Sequence, residues 1–460
     1  MQINWNIKPE DLKVKLDHFW ELSGEKIKMI RDHYDHSQGS PVFTVAGQYT
    51  TRGWTEWTQG FEFGSSILQF DATGEDEYLR YGRQQTLEQM ASHVGHFGVH
   101  DHGFNNISTY GNLLRLMLEG RIPLNTWEKH FYELALKLSG AIQGKRWTTL
   151  PDDAGFIHSF NGPHSLFVDT IRTVRALEVS HVLGHALWID NDRKISLLRR
   201  AAQHVEATAR YSVYYGNGRD QYDVRGRVAH ESIFNTHDGA YRCPNAQQGY
   251  SGFTTWTRGL AWAMAGFSEQ LEFLSQVPVN TDGMAKEMES VESICDQAAR
   301  ATCDFYIGHT PADGIPYWDT GAPGLVHLSG YLQRDADPRN GYEPVDSSAA
   351  AIAAQGLLRL GHHITTTDNE NGQRYWQAGL TVLNRLLDDP YLSNDPQHQG
   401  LLLHSIYHHP NGWDYIPPGS NIPYGESSMW GDYHLREAAL YLDRILKGGS
   451  YYTFFHGLNP

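Results

Sequence analysis

Cysteine is nearly missing from this chain. Its 460 residues hold three, Cys243, Cys295 and Cys303, an odd number whose spacing fits neither a zinc site nor a disulfide framework. They read as free thiols of a reducing compartment. Long apolar runs are missing too. Nowhere do 18 or more apolar residues follow one another, which excludes a membrane-spanning helix. The opening MQINWNIKPEDLKVKLDHFW has no charged-then-apolar signal pattern, so the expected location is the cytoplasm, or the periplasm if a leader has been trimmed. Positive charge is scarce. Lys plus Arg number 37 against 53 Asp plus Glu, a net charge of −16, whereas nucleic-acid binding rests on cationic surface. Neither nucleic acid nor membrane is expected as a partner. A phosphate-binding loop, a dinucleotide fingerprint and a serine-centred elbow are also absent. Nothing implies a cofactor or a metal; His404, His408 and His409, ahead of PNGWD, have no spacing that demands one.

What the chain does have is aromatic rings and helical periodicity. It carries 13 Trp and 25 Tyr; some must be core, and aromatics in a cleft are also how proteins stack sugar rings. Amphipathic stretches with helical period fall near 10–35, 58–72, 76–94, 107–120, 125–143, 164–185, 191–213, 255–275, 283–306, 346–361, 371–389 and 430–446. Strand-like alternation is scarce. The even-numbered stretches differ from the odd ones. TWTRGLAWAMAGF and DSSAAAIAAQGLLRL are apolar almost all round, whereas 191–213 and 283–306 carry a polar face. A helix apolar all round is buried and one with a polar stripe faces water. Twelve helices alternating outer and inner make an all-α (α/α)6 barrel, a six-hairpin toroid. It is expected to form one catalytic domain over 1–460, with long loops near 214–254, 307–345 and 390–429. Loops that long are usually functional.

Unusual residues gather just before the inner helices: GWTEWTQGF (53–61), VHDHGF (99–104), FNGPHSLFVD (160–169), QGYSGFTTWTR (248–258), EPVDSS (343–348) and GESSMWGD (425–432). In a barrel these N-termini meet at one end, where helix dipoles and free N–H groups favour an anion. One aromatic-walled, electropositive cleft is expected there. Arg258, the lone cation opening the apolar run 258–267, can present a fork of donors to it.

These motifs resemble the unsaturated glucuronyl hydrolases of glycoside hydrolase family 88. WTQGF at 57–61, HDHGF at 100–104, QGYSGFTTWTRGLAW at 248–262, IPYWDT at 315–320, DSSAAAIAA at 346–354 and MWGDYHLREAAL at 429–440 follow the family's order across nearly the whole chain. The resemblance implies removal of a terminal 4,5-unsaturated uronic acid from oligosaccharides left by polysaccharide lyases. In that chemistry an acid protonates C4 of the vinyl ether, water adds at C5, and the hemiketal falls apart. It implies Asp169 as the general acid/base and Asp101 as its partner carboxylate, with Trp57, His100, His230, Gln248, Trp256, Arg258, Ser427 and Ser428 binding substrate. Two departures stand out. Arg172 follows Asp169 closely, and if it points inward it would favour the ionised carboxylate. His102 replaces the family's leucine. Other readings are a hydrolase of saturated uronides or of unsaturated galacturonyl-rhamnose fragments, a sugar epimerase using paired histidines, and a non-catalytic sugar-binding barrel.

Overall fold

A computed structural model of the chain describes residues 1–53, 56–277 and 284–458. Trp54 and Thr55 of the GWTEWTQGF segment, and residue 283 at the expected start of the ninth helix, lie outside them. The described residues form twelve main helices: α1 (Lys13–His33), α2 (Gln59–Thr73), α3 (Asp76–Gln89), α4 (102–118), α5 (Thr126–Lys145), α6 (Val174–Val182), α7 (Leu197–Tyr211), α8 (Thr257–Gln276), α9 (Ala285–His309), α10 (Ser347–Ile364), α11 (Asn369–Leu386) and α12 (Met429–Leu446). Helix α4 contains one π-turn at Ile107–Gly111. A 3-10 segment, Val168–Thr173, leads into α6.

The even helices pack side by side in a closed ring, α2–α4–α6–α8–α10–α12–α2, and the odd helices lie outside them. This is the (α/α)6 toroid, and the burial follows from composition. Every residue of α8 from Thr257 to Phe273 is buried, and so is every residue of α10 from Ser347 to Gly361. Alanine and glycine let these two backbones touch. A Cβ on Gly356 would come within 2.8 Å of the Ala265 amide nitrogen. Helix α7, by contrast, buries one alanine- and leucine-rich face and turns its arginines outward.

Two stretches read as helix begin as strand. Short antiparallel pairs occur, β1 (Phe43–Val45) with β2 (Gln48–Thr50), β3 (Trp147–Thr149) with β4 (Gly155–Ile157), and β6 (Leu187–Ile189) with β7 (Arg193–Ile195). One three-stranded sheet runs in the order β5 (Ser165–Phe167), β8 (Glu231–Phe234), β9 (Tyr241–Asn245). Only a few residues long, these strands leave too little alternation to register against the helical background.

The end of the ring remote from the six N-terminal motifs is held by buried ion pairs. Arg172 and Arg175, on the α6 segment, lie 2.9 and 3.1 Å from Glu269 of α8. Arg359 of α10 meets Glu272 of α8 at 2.7 Å. Glu437 of α12 lies 3.7 Å from Arg172. Arg444, also of α12, binds Asp71 of α2 at 2.7 Å and Glu119 after α4 at 2.6 Å, and Arg115 of α4 closes on Asp71 at 2.7 Å. All six inner helices thus take part in three clusters of ion pairs, bridged by Tyr452, whose hydroxyl bonds Glu437 and Asn112 and whose carbonyl accepts from Arg359. Removing a partner leaves the others buried and uncompensated. Asp71→Ala, which strips Arg115 and Arg444 of their shared acceptor, is expected to cost about 3–5 kcal/mol. The check is a lower denaturant midpoint with an unchanged slope.

Candidate active site

The N-terminal ends of the inner helices surround a cavity of about 310 Å³. Trp57 lines it just before α2, Asp101 at the start of α4, Asp169 in the segment before α6, Trp256 and Arg258 at α8, and Trp430 at α12. The α10 end contributes Asp346, which holds Arg258. Seven of the ten residues expected to form the site line this one space: Trp57, His100, Asp101, Asp169, Gln248, Trp256 and Arg258.

The two carboxylates and one imidazole sit together. His100, Asp101 and Asp169 each offer an atom within 4.8 Å of the other two. His100 Nε2 lies 3.1 Å from Asp169 Oδ2 and 4.0 Å from Asp101 Oδ1. Neither carboxylate is spent on helix capping. Asp101 occupies the N-cap position of α4 without a side-chain cap bond, and Asp169 caps nothing. Burial raises the Asp101 carboxyl, partly offset by His100, and the Asp169 charge raises it further. Burial pushes Asp169 up as well, but the His100 hydrogen bond and the charges of His100 and His230 bring it below its ordinary value. Burial disfavours the His100 cation, yet Asp101 and Asp169 raise its pKa overall. The pair therefore ionises unequally. Asp169 loses its proton first and Asp101 keeps the remaining one longer.

His230 stands behind the cavity wall, and the sheet puts it there. Strand β5 pairs with β8 so that Phe167 faces Glu231, and the Val168 N–H donates to the His230 carbonyl at 2.9 Å. Residues on either side of this register, Asp169 and His230, are thereby neighbours; His230 Nε2 lies 3.8 Å from Asp169 Oδ1. Backbone N–H groups of Gln247 and Gln248 donate to His230 Nδ1 at 2.9 and 3.3 Å. Nδ1 must then be the acceptor, and the proton of the neutral ring sits on Nε2. Burial lowers the His230 pKa to about 4, so the ring is neutral at pH 7. Glu231 anchors the sheet by accepting from Asn161 at 3.1 Å and Asn245 at 2.6 Å.

Arg258 does something other than wait for an anion. One terminal nitrogen donates to Asp346 at 2.7 Å and to the Ile406 carbonyl. The other donates to Gln248 Oε1 at 2.9 Å and the Tyr407 carbonyl at 2.7 Å. Its guanidinium lies between the Trp256 and Trp430 rings, 4.6 and 5.1 Å from their centroids. Arg258 is a clamp that aims Gln248 and ties the 390–429 loop to the barrel. The motif aspartates do similar work. Asp346 accepts from the Ser348 and Ala349 N–H groups and so caps α10. Asp319 of IPYWDT accepts from the Tyr250 N–H at 2.9 Å. That contact explains Gly249, whose added Cβ would lie 2.9 Å from Trp256 and 3.0 Å from Asp319. Asp432 of the MWGDY motif accepts from the Leu401 and Leu402 N–H groups at 2.9 and 2.8 Å.

The remaining expectations land elsewhere. Ser428 caps α12 through the Gly431 N–H at 3.1 Å. Ser427 runs beside β1, with its N–H donating to Thr44 Oγ1 at 2.7 Å. Both are fully buried and neither lines the cavity, because pairing with β1 seals them between strand and helix. Arg172 does not reach Asp169; it turns down the barrel to Glu269. His102 does not enter the cavity either. It joins a chain of imidazoles, with Nε2 2.8 Å from His96 and Nδ1 2.9 Å from His93.

Sequence reasoning missed much of the aromatic wall. Phe104, Phe160, Phe167, Trp262, Tyr407, Trp413 and Trp430 line the cavity, as do Gln247, His408 and Asn411. Tyr407 and His408 are delivered by Asp414, which accepts from both their N–H groups. The clue was the length of the 390–429 loop and its tip, where His404, His408 and His409 precede Trp413. The clamp leads to an expected outcome. Arg258→Lys cannot span four acceptors and leaves Asp346 poorly paired, so stability falls by about 3 kcal/mol or more, read by chemical denaturation of both proteins.

No protein-family model matches the chain. Curated relatives do. It is 26% identical over 436 residues to the unsaturated glucuronyl hydrolase of Bacillus sp. (strain GL1), covering 93% of this chain and 95% of that protein. It is 24% identical over 443 residues to the unsaturated chondroitin disaccharide hydrolase of Streptococcus pyogenes serotype M1, covering 94% and 92%. Among solved structures, the unsaturated glucuronyl hydrolase of Streptococcus agalactiae matches with a TM-score of 0.70 at 19% identity, over 98% of each chain. The structure of an Asp-to-Asn variant of UGL with dGlcA-Glc-Rha-Glc matches at 0.69 and 22%, over 95% and 97%. Likeness runs along nearly the whole of both chains, and the barrel is the one the unsaturated glucuronyl hydrolases share.

Proposed function

We propose that the chain is a glycoside hydrolase that releases a terminal 4,5-unsaturated uronic acid from lyase-generated oligosaccharides, with Asp169 as general acid/base. The observation that carries the reading is the close placing of Asp101, Asp169 and His100 at the floor of an aromatic cavity. A sugar ring stacks on such walls. The helix N-termini around it favour the uronate carboxylate.

The chemistry balances on one carboxyl group. Protonated Asp169 gives its proton to C4, and the positive charge passes to C5 and the ring oxygen. Water adds at C5 and returns a proton to the Asp169 carboxylate. The hemiketal opens, the former anomeric carbon is left as a hemiacetal, and the aglycone departs as an alcohol. Asp101 keeps a proton within the pair, and a substrate anion entering beside Asp169 raises its pKa toward that of a donor. His230, with hydrogen on Nε2, lies 3.8 Å from Asp169 Oδ1 and positions the acid from behind the wall. Trp57, Trp256 and His100 hold the ring, and Gln248, aimed by Arg258, takes a hydroxyl. Ser427 and Ser428 have no part in this reading.

The whole chain acts as one catalytic domain, since residues from Trp57 to Trp430 wall the same cavity. Cys243, Cys295 and Cys303 are all free thiols, which supports a cytoplasmic location. Among the described residues no helix is long and apolar enough to cross a membrane. With a net charge of −16, the partner is the oligosaccharide rather than nucleic acid or lipid. No observation of its own favours the saturated-uronide, galacturonyl-rhamnose, epimerase or non-catalytic readings.

The test follows the ultraviolet absorbance of the C4=C5 bond during incubation with lyase-generated disaccharides. The absorbance is expected to fall as the free aglycone sugar appears. Asp169→Asn should lower kcat by about 10²–10⁴-fold with substrate affinity kept. A flat trace for every fragment, or full turnover by the variant, overturns the proposal. The pH profile supplies a second test, because the alkaline limb of kcat/KM reports loss of the acid's proton in the free enzyme. His100→Gln removes the cation that holds Asp169 down, so this limb should move to higher pH. Asp101→Asn replaces a group that keeps its proton while Asp169 titrates, so the limb should move little.

A further inference from the structure

Helix α5 lies on the outside of the barrel and is apolar on both faces. Its inner face buries Tyr132, Ala135, Leu136 and Ala141. Its outer face exposes Trp127 (80%), Phe131 (37%), Leu134 (54%) and Leu138 (42%), and Leu124, just before the helix, is 68% exposed. Among the described residues the other five outer helices expose two large apolar side chains between them, Val14 and Leu87. The core has no use for this second stripe, since α5 already packs inward on α4 and α6.

We infer that the stripe is a dimer interface, and that its occupant is α5 of a second copy of this chain. Three observations favour that partner. The spacing 127, 131, 134, 138 steps by four, three and four, which is the seam of a two-stranded coiled coil. The same spacing reads identically from either end. A two-fold axis at its midpoint sets two antiparallel copies so that Trp127 faces the partner's Leu138 and Phe131 faces the partner's Leu134, large against small. Self-complementarity of this kind is what an isologous contact requires.

Area and charge agree. The five exposed side chains offer roughly 600 Å², at the top of the range for the largest patch on a monomer, and two copies would bury about 1,200 Å², the lower bound of a stable interface. Trp188, 61% exposed on the β6–β7 hairpin packed against α5, can widen it. The stripe itself carries no Lys, Arg, Asp or Glu, and beside it Lys129 pairs with Glu133 one turn on. Two molecules of net charge −16 can therefore meet there without opposing charges at the contact. A membrane surface would call for a predominantly cationic flank, whereas Lys129, Lys137 and Lys145 of α5 are interspersed with Glu128 and Glu133.

Sedimentation velocity over about 1 to 100 μM protein, the range a small interface spans, should show a species of twice the 52.1 kDa chain mass that grows with concentration. Trp127→Glu with Leu134→Glu should leave only the single-chain mass, with the circular-dichroism spectrum and the turnover of the parent. A second variant tests the pairing directly: Trp127→Cys with Leu138→Cys, in a Cys243→Ser background because Cys243 is exposed, should form covalent dimers on mild oxidation. A parent that stays at the single-chain mass at every concentration overturns the inference. So does a dimer that survives the double glutamate substitution, or a cysteine pair that yields no covalent dimer.

Discussion

Charge buried in the barrel sets the terms for everything above it. An isolated ion in a protein interior is several kcal/mol away from tolerable, so each arginine and carboxylate between the inner helices must find its partner. Arg172, Arg175, Arg359, Arg115 and Arg444 do so only when α2, α4, α6, α8, α10 and α12 stand at matching heights. Apolar packing alone would let alanine-rich helices slide by a turn, since one methyl surface resembles the next. The ion network removes that freedom. The N-termini at the other end then arrive in register, and the cavity's shape follows from it.

Between the ions and the cavity lies one indole. Trp262 lines the cavity, and the Arg172 guanidinium sits 5.4 Å from its ring centroid. Arg172 follows Asp169 by three residues, close enough in sequence to suggest electrostatic rivalry. The fold separates them, directing one side chain up and the other down. The network's charge is consumed internally, and the field at the acid pair comes chiefly from His100, with Arg146 acting on Asp101.

The helices were legible because each repeats its pattern over many turns. Alternation of buried and half-exposed faces was enough to order twelve of them into two layers. The sheet was not, for β5, β8 and β9 span three to five residues apiece. Yet that sheet is what sets His230 beside Asp169. The aspartates and His100 were legible through motif likeness, whereas the part played by Arg258 was not. A cation at a helix start looks the same in sequence whether it greets a ligand or clasps Asp346. Only the three-dimensional return of residues 406 and 407 tells the two apart. Ser427 and Ser428 illustrate the opposite error: small hydroxyls near a site that a strand has sealed off.

The backbone donors on His230 carry a consequence for the direction of proton traffic. With Gln247 and Gln248 filling Nδ1, the ring faces Asp169 as a donor only. It can steady a lone pair of that carboxylate but has no lone pair of its own to offer there, so it cannot strip hydrogen from carbon. An exchange of stereochemistry at a sugar carbon needs one group to take a proton and a second, across the ring, to give one back. The sheet register denies His230 the first of those parts. In this barrel the polarity of that imidazole is written by two main-chain amides.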